Sequence, residues 1–400
     1  MPDDTEPKAT LLGKLVILII LAACGYLSWR YFLTGMVLPS VAGGTINPES
    51  AAPVPKGSGA SDGKTTTITV AYGTEKERWL VWAVEEYAKV APTVQVNLVP
   101  KGSIEGAQAL LAGEHLHIWA PAASLAAEGF TAEWQLKNGK PPFLRTENLA
   151  LTPMVFVFWS ERFAALKTPP ASFKDIATLV AEPTGWAGLA GKPDWGFFKF
   201  GHTHPNQSNS GLMALVLMGC DWHNSRELTM AQVLDPGFQA WLTKFEKGVA
   251  GLSRSTGSQM KDMVLKGPSA YDALCVYESV AIDFLKNAQG RWGDLRVTYP
   301  AVNAWNDNPA YLMDAPWSSS GERVAAGRFL DFLMTEPVQR RALDHGFRPG
   351  NPAVPIRFDA SPFVLYQPQG LRIDLPAVIQ TPKAEVVNNL LAGWQRSVGR

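Results

Sequence analysis

Phe200-Gly-His-Thr-His-Pro-Asn-Gln-Ser-Asn-Ser-Gly-Leu-Met-Ala-Leu-Val-Leu-Met218 passes from strand-like to polar to apolar sequence within one short stretch. The aromatic run leading into it, Trp195-Gly-Phe-Phe-Lys-Phe200, predicts a strand, and the hydroxyl- and amide-rich loop that follows opens an apolar helix. Ser208, Asn209 and Ser210 are strong N-cap types, and Gly211 leaves the backbone uncovered. The first turn of such a helix has N–H groups without intrahelical partners and the positive end of the helix dipole, which suits an acceptor-rich or anionic ligand. An ordinary capped helix accounts for the same residues, so this segment alone leaves both readings open.

The surrounding sequence places the segment in an α/β fold. Thr66–Tyr72 is a β-branched strand ending at Gly73-Thr74, and from Glu75 to Val90 the residues Trp79, Ala83, Tyr87 and Val90 share one helical face. Val94–Val99 alternates as a strand, Ser103 caps a helix to Leu111, His115–Ala120 reads as a third strand, and Pro121-Ala-Ala-Ser124 opens the next helix. Strands and helices alternating at this spacing make βαβ units and a mainly parallel sheet. Ligands gather at the carboxyl ends of such strands, which is where Gly73-Thr74, Ala122 to Ser124 and Ser208 to Gly211 would sit. Further on come a long apolar strand (Leu149–Trp159), helices at Ser172–Ala181 and Asp235–Lys247, a buried strand at Tyr271–Tyr277 and a short extended segment at Asn308–Met313. Ser319 and Glu322 form a capping box for a helix that Pro337 ends, and Val386, Leu390, Leu391 and Trp394 mark an amphipathic C-terminal helix.

With 400 residues and 46% hydrophobic content the chain can bury one large core or two modest ones. Its 36 basic and 36 acidic residues show no basic stripe, which argues against nucleic acid as a partner. Cys220 and Cys275 lack metal-ligand spacing and read as separately buried thiols, with a disulfide between them as the alternative. Near the N-terminus, Leu15–Trp29 is uncharged between Lys14 and Arg30, and a span from Leu11 to Leu33 covers the ~30 Å hydrocarbon core. An uncleaved single-pass anchor is the preferred reading. Leu21-Ala-Ala-Cys24 also matches the lipobox form, and a cleaved secretory peptide is a third possibility. All three put the remainder outside the cytoplasm. Residues 39–64, rich in Pro, Gly, Ser and Ala, read as a flexible tether following a cytoplasmic stub and anchor at 1–38.

Four stretches carry a family resemblance. They are Ile118-Trp-Ala-Pro-Ala-Ala-Ser124; Gly201 to Gly211; Ser255-Thr-Gly-Ser258 with Gly267 to Ser279; and Ala325 to Gln339 leading into Gly346-Phe-Arg-Pro349. In this order and spacing they resemble bacterial extracellular solute-binding proteins of the type II periplasmic fold, in a molybdate-binding-like branch some of whose relatives carry a fused von Willebrand factor A domain. The resemblance implies a two-lobed Venus-flytrap architecture with two hinge crossings near Pro153 and Asn308. One lobe would comprise 65–153 plus 309–352 and the other 154–308, with 353–400 as a C-terminal extension and helix packing on the lobes. It implies ligand contacts at Gly73, Thr74, Ala122, Ser124, Ser208, Asn209, Ser210, Tyr277 and Glu278, and an ABC permease or other membrane protein as partner. The implied ligand is a small polar solute, an oxyanion among the options, bound without a cofactor and without catalysis. The family's hydroxyl-rich loop is here mostly alanine (Ala120, Ala122, Ala123), and Glu278 would set an anion against an anion, which leaves an organic or cationic ligand open.

Two rival readings use other residues. His115 and His117 pair with His202 and His204 as a transition-metal set if both pairs face one cleft. No nucleophile elbow, HExxH, phosphate-binding loop or dinucleotide fingerprint is present, so an enzyme is disfavoured. A tethered domain that has kept the fold but acts as a sensor or assembly subunit through a protein partner is the remaining alternative.

Overall fold

The computed structural model describes residues 65–285, 292–375 and 378–399. The expected membrane span, the tether and Cys24 lie outside the described residues. Among those described, no helix is long and apolar enough to cross a membrane.

Strands β1 (Thr66–Tyr72), β2 (Val94–Pro100), β3 (Ile118–Ala120), β4 (Phe143–Asn148), β5 (Ala150–Trp159), β6 (Phe200–Thr203), β7 (Gly251–Ser253), β8 (Ala273–Tyr277), β9 (Leu295–Thr298), β10 (Trp305–Asn306), β11 (Pro309–Met313) and β12 (Arg348–Pro349) form two sheets. The first has the order β2-β1-β3-β11-β4, and the second runs β10-β5-β8-β6-β7, with β9 and β12 also pairing to β5. Parallel pairing holds β2-β1-β3 and β7-β6-β8 together. The expectation of mainly parallel sheets is met only there. β11 runs antiparallel to β3 and β4, and β5 runs antiparallel to β8, β9, β10 and β12.

These antiparallel strands are the ones that carry the chain from sheet to sheet. The first passage is at Leu149, between β4 and β5, the return is at Asp307–Asn308, between β10 and β11, and a third passage, at Phe347–Arg348, takes the chain back to the second sheet through β12. Pro153, expected near a crossing, lies shortly after the first passage, inside β5 opposite Trp305. At the return, Asn308 adopts φ 38°, a left-handed conformation that asparagine tolerates better than most residues.

Each face of the first sheet has its own core. Ile68, Val70 and Tyr72 pack with Trp79, Leu80, Phe329 and Leu330, while Ala71, Trp119 and Tyr311 pack with Leu110, Phe130 and Trp134. In the second sheet β5 is buried almost throughout, which explains its unbroken apolar run rather than an alternating one. The helix Asn209–Trp222 is also buried nearly all round, against this sheet and the C-terminal helix Ala384–Val398. The C-terminal helix packs mainly on Pro236–Lys247 and Met230–Val233 through Val386, Val387, Leu390 and Trp394. Cys220 and Cys275 are separate buried thiols, with no disulfide between them.

Several local readings differ from the outcome. Trp195–Lys199 is not strand; the strand is Phe200–Thr203, because its partners β8 and β7 begin opposite Phe200 and Gly201. Ser103 is the first residue of its helix, and the cap is Gly102, whose N–H donates to Glu105. The helix Ser320–Leu333 does end before Pro337, as expected, but Pro337 opens rather than interrupts: it lies in the first turn of a new helix, Glu336–Asp344, where its missing N–H costs nothing.

A buried ion pair ties β12 to the second sheet. Arg348 donates from Nε to Glu278 Oε2 at 2.8 Å and from Nη2 to Glu278 Oε1 at 2.9 Å, and its remaining donors reach the Arg372 and Ile373 carbonyls. The Tyr299 hydroxyl also donates to Glu278. Arg348→Met should therefore strand a buried carboxylate and cost about 3–5 kcal/mol in denaturant unfolding. The Glu278→Met/Arg348→Met double variant should recover much of that loss, and simple additivity of the two single losses would contradict this account.

Candidate functional site

A cavity of about 480 Å³ opens between the two sheets and is walled by residues of both. The starts of three long helices converge on it: Ser103–Leu111 from the first lobe, and Asn209–Trp222 and Thr256–Lys266 from the second. Gly73 and Thr74, at the end of β1, complete the ring. Helix starts present N–H groups and a partial positive charge, so the walls favour acceptor groups on a ligand.

Of the residues expected to bind, Gly73, Thr74, Ala122, Ser208, Asn209 and Tyr277 line this cavity. Three do not line it. Ser124 uses its N–H on Asp307 Oδ1 at 2.8 Å. Ser210 is fully buried, its hydroxyl 2.6 Å from both Thr203 and Thr256 and 3.3 Å from Ser208, so it links β6 to two helix starts. Glu278 is the clearest correction. It is committed to Arg348 and Tyr299, so the clash foreseen between it and an anionic ligand does not arise.

Sequence reasoning missed Glu75, Lys101, Ser103, Arg254, Ser255 and Thr256. The strand-end rule applied to β2 would have found Lys101 and Ser103, which follow it directly. Ser255 and Thr256 stood in a stretch that carried the family resemblance.

Under the cavity lies a fully buried lysine. Lys76 donates to Glu75, to the Pro121 carbonyl at 3.2 Å and to Asn308 Oδ1 at 3.0 Å. Burial pulls its pKa below the ordinary lysine value, against the opposing pull of Glu75. Glu75 itself lines the cavity. Its carboxylate lies so close over Gly73 that a Cβ there would meet Oε1 at 2.3 Å.

The two walls also touch. The hydroxyls of Thr74 and Ser255 are 3.1 Å apart, and a Cβ on Gly102 would come within 2.8 Å of the Gln207 carbonyl. On the second-lobe side, Gly211 lets the helix start press against β6, where a Cβ would sit 2.0 Å from the Thr203 carbonyl.

The histidines do not form a metal site. His117 Nδ1 accepts from the Thr69 N–H at 2.9 Å, and His115 stacks on Trp317. His204 packs edge-on against Trp394, and His202 is fully buried beside Glu246. Among the described residues no group of three or more His, Cys, Asp or Glu is arranged to hold a metal ion.

Two sheets exchanging strands, with helix starts facing each other across a cleft, define a two-lobed binding protein of the type II periplasmic fold. The chain belongs to the family of bacterial extracellular solute-binding proteins, whose profile matches residues 68–348. Solved structures agree on the fold. The sulfate-binding protein SubI of Mycobacterium tuberculosis is 16% identical, with 84% of this chain and 98% of that one covered at a TM-score of 0.53. Iron-bound HitA of Pseudomonas aeruginosa is 15% identical, with coverage of 84% and 100% and a TM-score of 0.57. AfuA of Actinobacillus pleuropneumoniae, solved with exogenous fructose-6-phosphate, is 11% identical, with coverage of 84% and 99% and a TM-score of 0.58. No curated protein sequence matches the chain significantly.

The strand that carries the site loop rests on the His202–Glu246 pair. His202 Nε2 is 3.1 Å from Glu246 Oε1, its Nδ1 is 2.8 Å from the Thr203 carbonyl, and Gln259 Nε2 donates to the His202 carbonyl at 3.0 Å. Burial disfavours the imidazolium, but the Glu246 carboxylate and the two hydrogen bonds outweigh it and raise the His202 pKa. A raised folded pKa gives stability that is fully present below the unfolded value of about 6.5 and is lost as pH climbs through the folded one. The melting gap between the natural protein and His202→Gln should therefore shrink from acid to alkaline pH. A gap that stays constant with pH would count against a charged pair.

Proposed function

We propose that this chain is a membrane-anchored, extracytoplasmic solute-binding protein that captures a small polar ligand between its lobes, for ABC-type transport or for sensing. Capture is by cleft closure and release, without chemistry. The observation that carries this reading is the 480 Å³ cavity ringed by helix starts from both lobes, within the usual range of about 300–1,000 Å³ for small-molecule sites. An acceptor-rich ligand, an oxyanion included, suits the donors in those walls. The passages at Leu149 and Asp307–Asn308 are the points about which the lobes would swing, and a ligand that favours the closed state by a few kcal/mol is enough to shift the balance. The uncharged run Leu15–Trp29 supports a single-pass anchor in the bacterial inner membrane, with the binding lobes on the far side. An ABC permease, or another membrane protein that reads the closed state, would be the partner.

Native mass spectrometry of the full-length chain tests the reading. The natural protein should retain a small solute on gentle purification. Asn209→Ala should lose it while unfolding only about 1–3 kcal/mol more easily, since two hydrogen bonds go with the side chain. A ligand at a hundred times its Kd should add roughly 2.7 kcal/mol of stability. No bound mass, and no stabilisation by any small solute, would point instead to a domain that works through a protein partner.

A further inference from the structure

Two glycines line the cavity, and they face different neighbours. A Cβ on Gly73 would meet the Glu75 side chain of its own loop. A Cβ on Gly102 would stand 2.8 Å from the Gln207 carbonyl, which belongs to the other lobe. An ordinary contact there needs at least 3.4 Å, so the present spacing of the walls leaves no room for a side chain at position 102.

The backbone at this position does not itself call for glycine. Gly102 has φ −58° and ψ 156°, an extended conformation open to any L-residue. Within its own lobe a Cβ would have only ordinary neighbours, Glu105 Cβ at 3.9 Å and Glu105 Oε2 at 4.0 Å. As a helix N-cap, glycine ranks below serine, asparagine and aspartate. The demand for glycine comes from across the cleft.

Both walls are held in place at this point. On the first lobe, the Lys101 N–H donates to the Tyr72 carbonyl at 2.9 Å and the Gly102 N–H to Glu105 Oε2 at 3.2 Å. Ser103 Oγ accepts from the Ala122 N–H at 3.0 Å. On the second lobe, the N–H groups of Gln207 and Ser208 both donate to the His204 carbonyl, at 3.0 and 2.9 Å. An added Cβ would therefore be fixed to one backbone and its obstacle to the other, with no flexible side chain to swing aside. The lobes would have to stand farther apart, which would also stretch the 3.1 Å contact between the Thr74 and Ser255 hydroxyls.

We infer that Gly102 sets how far the lobes close, and with it how tightly a small solute is gripped, a role that rests on the cleft-binding reading. It acts by what it lacks, since any larger residue stops closure short.

The test uses the full-length Cys24→Ser/Thr74→Cys/Ser255→Cys protein, dialysed free of solutes, in which disulfide formation reports closed lobes. Adding Gly102→Val should slow that oxidation by copper phenanthroline about tenfold, and Gly102→Ala should slow it less. Gly129→Ala, with open space around it in the same lobe, should leave the rate as it was. In the protein without these cysteines, Gly102→Ala should leave solute-free melting unchanged. It should also shed the solute retained on purification several times faster, read by native mass spectrometry after timed dialysis. If Gly102→Val does not melt cooperatively, Gly102→Ala carries the oxidation comparison. An unchanged oxidation rate in a folded variant overturns the inference, and so does slower oxidation with undiminished retention of solute. Lower solute-free melting of Gly102→Ala overturns it too, because the glycine would then serve its own loop. If the natural protein retains no solute, the cleft-binding reading fails, and the oxidation rate still decides whether Gly102 limits closure.

Discussion

The Lys76 ammonium is buried away from water, so each of its three N–H groups has to find an acceptor inside the protein. The acceptors it finds belong to three parts of the site. Glu75 is on the loop after β1, Pro121 follows β3, and Asn308 is the residue at which the chain returns to the first sheet. One cation therefore fixes two loops beside the cavity and one interlobe passage relative to each other. The same contact favours the left-handed backbone at Asn308, whose side chain also donates to the Asn306 carbonyl at 2.9 Å. Asn306 in turn accepts from Asn209, which lines the cavity. Hydrogen bonds thus run unbroken from the passage to Asn209 in the cavity wall.

The electrostatics of the cleft follow from that arrangement. Glu75 is balanced beneath by Lys76, and Lys101 is held at 3.1 Å by Glu114, so two charged residues of the lining have partners of their own. What remains to attract a ligand is a set of oriented dipoles and the exposed Arg254. Dipoles fixed in this way select by geometry and hydrogen-bond matching more than by net charge. Sulfate, iron and a sugar phosphate figure among the ligands of structurally similar proteins. The fold therefore does not name the ligand, and the pattern of donors and acceptors has to.

Much of the fold was legible because its signals are local. The alternation from Thr66 to Ala120, the capping box at Ser319 and Glu322 and the buried strand β8 are each written in consecutive residues. The loop at Ser208–Asn209 and the corner at Gly73-Thr74 were found by a rule about strand ends. The rest depended on contacts distant in sequence. Glu278 reads as a cleft residue until Arg348, seventy positions away, is seen to claim it. The four histidines read as two pairs until their separate neighbours, Thr69, Trp317, Glu246 and Trp394, are known. The direction of β5 and β11 follows from where the chain changes sheets, which no local pattern records.

On the proposed reading, solute enters and leaves by movement of the two walls that meet at Thr74 and Ser255. Their hydroxyl oxygens are 3.1 Å apart, and Cys220 and Cys275 are buried, so in a Cys24→Ser background a Thr74→Cys/Ser255→Cys pair can be oxidised selectively. The direct measurement is uptake of the solute retained on purification, by the full-length double variant, before and after reduction. Almost no uptake or release is expected in the oxidised form, with exchange restored on reduction. Equal exchange in both states would contradict it.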